Sequence, residues 1–316
     1  MINTVEFLLN CITLVIGICT WMMILMILML IFYYLFHNRI KQEDKMTIIH
    51  GINMYILLLI FTTISVSFNI QTMLGDLNEQ NFNSFSCILA GYFVIVSINS
   101  LYYVFFNQAL FRLCRIVYST YEWIQLSWIH IILSPIEIIL ICILYSPAFV
   151  WHDIVYLTKE YYCFIDYTNL RLSLWVSFNT YGIPLCLLML VYLRITIFIR
   201  QQSNNLTWLT KKRQQQDLIV IRRIFIIVSL LIIIGLPTII LMIRFYITGK
   251  LHPLFYRILW FSVTLSMMIL TITIIILTPQ LKKIVFKYFR HNRVIPINRT
   301  LPNQNQNQQR YITTIL

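Results

Sequence analysis

Long apolar runs alternate with short polar breaks along most of this chain. The runs fall at about 7–36, 47–70, 87–118, 127–150, 172–198, 218–246 and 254–278. Each is long enough to cross a hydrocarbon core roughly 30 Å thick as a helix, which takes about 20 residues. Lipid cannot satisfy backbone N–H and C=O groups, so the runs are expected to be helical and not extended. The sequence therefore predicts an all-α membrane protein, a seven-transmembrane helix bundle over 1–278. The opening residues MINTVE carry no basic segment and the first run is too long for a signal-peptide core, so that run is expected to be a span and not a cleaved leader. After the last run, Thr278-Pro279 reads as an N-cap and first-turn proline. Leu281, Ile284, Val285, Tyr288 and Phe289 then recur at helical spacing with Lys282, Lys283, Lys287 and Arg290 on other faces. A short amphipathic eighth helix over 279–291 is expected, lying on anionic membrane lipids. Residues 292–316 are low in complexity and read as a disordered cytoplasmic tail, ending in a Thr-Ile-Leu that fits a PDZ ligand.

Composition narrows this further. At 59% hydrophobic and 11% charged, the chain falls far from a soluble domain, where about a quarter of residues are charged. A formal net charge of +13 raises the question of nucleic acid, and the placement of the charge answers it. With the N-terminus outside, only Lys159, Arg171, Arg244, Lys250 and Arg257 of the 24 Lys and Arg residues lie in outer segments. That bias sets the N-terminus extracellular and the tail cytosolic. The basic excess is thus a topology signal, and no nucleic-acid partner is expected.

The seven cysteines form no CxxC pair and the six histidines do not cluster, so neither a metal site nor a cofactor is expected. Cys87 and Cys163 are the two cysteines placed beyond the bilayer core on the oxidising side. A bridge between them would tie the outer loop HDIVYLTKEYYCFIDYTN to the top of the third helix. The alternative is two free, buried thiols. Cys11, Cys19, Cys142 and Cys186 fall within spans and pack as small hydrophobes. From Cys87, a step of 25 residues reaches Arg112. As helix this rises about 37 Å, enough to put the two residues at opposite interfaces. Arg112 is a functional candidate at the inner mouth of its span, or else a snorkelling marker of the boundary.

Seven spans, an outer N-terminus and the Cys87–Arg112 spacing resemble the rhodopsin-like G-protein-coupled receptors. The third helix ends in Phe111-Arg112-Leu113, where the family has an acidic-Arg-aromatic triplet. The fifth span carries Pro184 and Tyr192, and the sixth carries Pro237 with Asp217 twenty residues before it. The resemblance runs to about residue 290 and is to a divergent, invertebrate orphan-type member. It implies a plasma-membrane receptor without enzymatic activity, which binds an extracellular ligand inside the bundle and activates a heterotrimeric G protein. Arg112 would contact that partner, Asp217 would restrain Arg112, Tyr192 would stabilise the open state and Pro237 would kink the sixth helix. The second span has Thr62 or Thr63 near the family's aspartate. The first lacks the family's asparagine, the seventh reads ILTITIIILTPQL with no Asn-Pro-x-x-Tyr, and Gly235 stands where tryptophan is usual. The family's sodium site and toggle are therefore not expected.

The resemblance also bounds the ligand. No lysine lies in the seventh span, which excludes a retinal Schiff base, and Val94 stands where amine receptors need a carboxylate. Tyr92, Phe93, Ser97 and Asn99 would line the outer half of the bundle. Arg244 and Arg257, near the rims of spans six and seven, could hold a carboxylate or an acidic peptide end. Alternatively they snorkel, or pair with Asp153, Glu160 or Asp166. Glu137, inside the fourth span, is expected to hydrogen-bond the Ser97–Ser100 region. A seven-span channel or transporter is the other reading. An inverted chemoreceptor channel conflicts with the charge bias, and a transporter should show repeats or paired broken helices, which are not evident.

Overall fold

In the first helix the usual burial pattern is inverted. Val5, Leu8, Ile12, Val15, Met22, Met26 and Met29 recur at helical spacing and are exposed, while Asn10, Thr13, Gly17 and Thr20 are buried. In water such an apolar face would drive association; against lipid it is the solvated side. The computed structural model describes residues 4–37, 42–118, 127–202, 229, 236–237, 239–278 and 281–282, without the side chains of 42–47, 112, 115, 127–130, 199, 202 and 277. Its helices are α1 (Thr4–His37), α2 (Gln42–Asn78), α3 (Phe85–Val117), α4 (Ser127–Tyr145) and the single turn α5 (Pro147–Val150). A hairpin of β1 (Ile154–Leu157) and β2 (Tyr162–Ile165) follows. Beyond it come α6 (Leu170–Ser177), α7 (Ile183–Gln202), α8 (Ile239–Thr248) and α9 (Phe255–Leu277). Among the described residues six helical segments are long and apolar enough to cross a membrane. The chain is a helical, multi-pass membrane protein.

The first, third, fourth, fifth and last of the expected spans appear close to their predicted bounds, and the second appears but runs longer. The sixth, at 218–246, lies mostly outside the described residues, apart from α8 and isolated positions before it. The helix expected at 279–291 is likewise outside, except for Leu281 and Lys282, and so is the tail. Leu281 is fully buried and packs where Gly51 of α2 leaves room. The lysine backbone N–H of Lys282 donates to the Thr278 carbonyl at 2.8 Å.

Helix α2 differs from expectation in running to Asn78, eight residues past the predicted end at 70. The polar residues there do not interrupt it, because Thr72 Oγ1 bonds back to the Phe68 carbonyl at 2.9 Å. The helix stops where Glu79 turns left-handed at φ 54° and its N–H meets the Gly75 carbonyl at 2.8 Å. The fifth span has a π turn, Phe178–Gly182, between α6 and α7. Pro184 has no N–H for the Thr180 carbonyl, and Ile183 N–H instead reaches back five residues to Phe178.

Helix α3 is the centre of the packing, touching α2, α4, α7 and both strands. Helix α9 closes the arrangement against α1 and α2. Polar side chains tie helices together where lipid offers no partner. Trp21 Nε1 donates to Thr63 Oγ1 at 3.0 Å, Tyr55 OH to the Thr271 carbonyl at 3.2 Å, and Asn53 Nδ2 to Ser134 Oγ.

Candidate functional site

One end of the bundle is capped by the hairpin. Ile154 faces Ile165 and Leu157 faces Tyr162 in an antiparallel pair. All four residues of β2 are buried, because this strand lies down into the helices and has no solvent face. A lone two-stranded sheet is marginal in water, so the bundle beneath supplies its stability. The Cys87–Cys163 disulfide joins β2 to the first turn of α3, with the two Cα atoms 5.3 Å apart. That first turn is itself capped, Ser84 Oγ accepting the Cys87 N–H at 3.2 Å.

Two glycines make the seat possible. A Cβ on Gly91 of α3 would strike the Cys163 carbonyl, and one on Gly75 of α2 would enter the Tyr161 ring. Aromatic rings fill the space below. Phe68 stacks on Tyr162 with centroids 5.0 Å apart, and Trp260 meets Phe164 at 5.4 Å. Trp260 Nε1 donates to Tyr162 OH at 2.7 Å.

Beside this cluster lies a buried ionic group drawn from three elements. Arg257, near the start of α9, donates from both terminal nitrogens to Asp76 of α2, at 2.9 and 3.0 Å. Its Nε stands 2.6 Å from Glu160 Oε2, at the hairpin tip. Side-chain exposure is 5% for Arg257, 7% for Glu160 and 14% for Asp76. The Arg257–Glu160 contact is a one-point ion pair, against the two-point one to Asp76. The tip is also held through its backbone, Thr72 Oγ1 sharing its one proton between the Glu160 carbonyl at 2.8 Å and the Phe68 carbonyl at 2.9 Å. Burial pushes the Glu160 carboxyl up to about 7; Arg257 pulls it down and Asp76 pushes it further up. Asn10, Thr13, Asn69 and Thr72 line a small polar cavity with Glu160 and Arg257, about large enough for one water.

Of the residues predicted to line a ligand cavity, Tyr92, Ser97 and Asn99 are engaged within the protein, while Phe93 is exposed on α3. Tyr92 OH donates to the Cys142 carbonyl at 2.6 Å and its ring lies 4.5 Å from that of Phe149. Ser97 Oγ donates to the Phe93 carbonyl at 2.7 Å. Asn99 donates to the Ile95 carbonyl at 2.8 Å and accepts from Tyr145 OH at 2.7 Å. Arg244 is exposed on α8, whereas Arg257 is clamped by two carboxylates, so the structure does not bring these two arginines to one anion site. Of the partners considered for them, Glu160 pairs with Arg257, and Asp153 goes to Arg171 at 3.6 Å. Glu137 does not reach Ser97 or Ser100. It accepts from Asn107 at 3.4 Å, two turns further along α3.

At the other end of the bundle, the backbone of Arg112 is helical and its side chain lies outside the described residues, as does Asp217 entirely. Tyr192 is partly exposed on α7, and Pro237 is helical and exposed before α8. Asp76 is the site residue that the sequence did not single out. An acidic residue just beyond an apolar run was its only signal. Among the described residues no His, Cys, Asp and Glu group is arranged to hold a metal ion. The chain matches no protein-family model and no curated protein.

Proposed function

We propose that this chain is a rhodopsin-like G-protein-coupled receptor. An extracellular ligand, entering from the hairpin-covered end, shifts a two-state helix bundle whose opposite, basic end engages a heterotrimeric G protein. The observation that carries the reading is the Cys87–Cys163 tie between the loop after the fourth span and the first turn of α3, with Arg112 on that helix 25 residues on. Chain direction supports it. Helix α6 starts next to the hairpin, so α7 ends at the far end, while α9 starts at the hairpin end with Arg257. A seventh crossing between them accounts for this, and the apolar run 218–246 is the segment for it. In this reading the chain lies in the plasma membrane with its N-terminus extracellular. Arg112 contacts the G protein, Asp217 restrains it, Pro237 kinks the sixth helix and Tyr192 holds the active form.

For the ligand, the clamped Arg257 leaves exposed Arg244 as the rim cation for a carboxylate-bearing molecule or acidic peptide. The test is a G-protein activation assay on the expressed full chain against a panel of peptides and lipid acids. Activation by a panel member that is lost in Arg112→Ala at unchanged surface expression is the expected result. Ion conductance or solute flux with no G-protein response across the panel would overturn the reading in favour of a channel or transporter.

A further inference from the structure

The two carboxylates on Arg257 are not equivalent. Asp76 takes a two-point hydrogen bond from the terminal nitrogens, while Glu160 meets only the remaining nitrogen, by a single contact at 2.6 Å. Glu160 also lines the water-sized polar cavity. With all groups ionised the cluster holds two anions against one cation. Glu6 of α1 adds a negative field. The other titratable groups facing Glu160 are Tyr256 and Arg257 of α9, Asp76 of α2 and Tyr162 of β2, and of these only Arg257 is a cation. A net negative charge in so buried a place is costly, and one proton removes it.

We propose that Glu160 is a proton-binding site at the hairpin-covered end of the bundle, and that losing the proton there loosens the seat of the β1–β2 hairpin. The hairpin tip is the movable part. Cys163 is bonded to α3, whereas Glu160 and Tyr161 are held by Arg257, by the Thr72 hydroxyl and by the ring's fit over Gly75. Seated, the carboxyl is held up to about 7, and a tip lifted into water returns it toward 4.5. The lifted form therefore binds fewer protons across that interval. Raising the pH through the interval favours lifting, and lowering it favours the seated form. Lifting uncovers the polar cavity between α1, α2 and α9.

The test is amide hydrogen exchange of the full chain in lipid nanodiscs between pH 5 and 8, corrected for the chemical pH dependence of exchange. It needs no ligand and no G protein, so its outcome is separate from that of the receptor reading. In the wild-type chain, protection over 154–165 is expected to fall by tens-fold from pH 5 to pH 8, while protection in α3 stays constant. Glu160→Gln removes the titrating group and is expected to flatten the profile, while Asp76→Asn removes the neighbouring anion but not the burial that raises the carboxyl most, and is expected to reduce the slope. A wild-type hairpin equally protected at both ends of the range would overturn the proposal. So would a Glu160→Gln or Asp76→Asn profile that keeps the wild-type slope.

Discussion

At the scale of single residues, Arg257 carries the largest local consequence. Among the described residues its guanidinium is the cation that pairs with both the buried Glu160 and the largely buried Asp76, so its removal leaves two carboxylates without a counter-charge. Breaking a buried pair by deleting one partner costs about 3–5 kcal/mol. Arg257→Ala is expected to lower the thermal unfolding midpoint of the detergent-solubilised chain markedly and to reduce surface expression. Arg257→Lys keeps the charge and loses the two-point geometry to Asp76, so it should fall between. A midpoint for Arg257→Ala equal to wild type would show that the cluster does not help hold the bundle. Part of this was legible in the sequence, since Glu160 stood among the partners considered for Arg257. Asp76 was not, because its place depends on α2 continuing past its apolar run. Glu137 shows the same limit. The sequence gives a carboxylate inside a span, but which turn of α3 faces it depends on how the helices slide past each other, and Asn107 faces it here.

At the scale of elements, helices and hairpin differ sharply in how openly the sequence declares them. A span needs about 20 apolar residues in a row, and lipid rewards nothing else, so composition alone locates it. Strands β1 and β2 have four residues each and are joined through Thr158–Tyr161 without an Asn-Gly or Asp-Gly turn. Nor does β2 alternate in burial, since both its faces are covered. What holds the hairpin is the disulfide, two glycines and an ion pair, all of them long-range. The bridge gives the element's own prediction. Cys87→Ser and Cys163→Ser should each reduce surface expression to a similar degree, and the double variant should add little, because either change removes the same bond. Losses that simply add would argue that the two thiols act separately.

At the scale of the whole molecule, the charge distribution and the proposed switch belong together, since both depend on which end faces the cytosol. In the proposed reading 19 of the 24 Lys and Arg residues fall in the segments assigned to the cytosolic side, and that charge bias is the argument for the orientation. An epitope tag at the N-terminus is expected to stain on intact cells and one on the tail only after permeabilisation. The reverse pattern would sink the receptor reading. Granted that orientation, Arg112 lies in the last turns of α3, five residues before its end at Val117, on the cytosolic side, and Asp217 precedes Pro237 by twenty residues at the start of the sixth apolar run. Phe111 supplies no acid next to Arg112, so in the proposed receptor Asp217 would be its main restraint. If the two meet in the closed bundle as proposed, partial burial would make the pair worth more than an exposed one, with its net value limited by desolvation. Even about 1.4 kcal/mol changes a small active population tenfold. Asp217→Asn is therefore expected to raise basal G-protein signalling, and Arg112→Ala to abolish coupling at intact surface expression. If Asp217 only neutralises the basic segment beside it, with Lys211, Lys212 and Arg213, a well-expressed Asp217→Asn receptor will show wild-type basal activity.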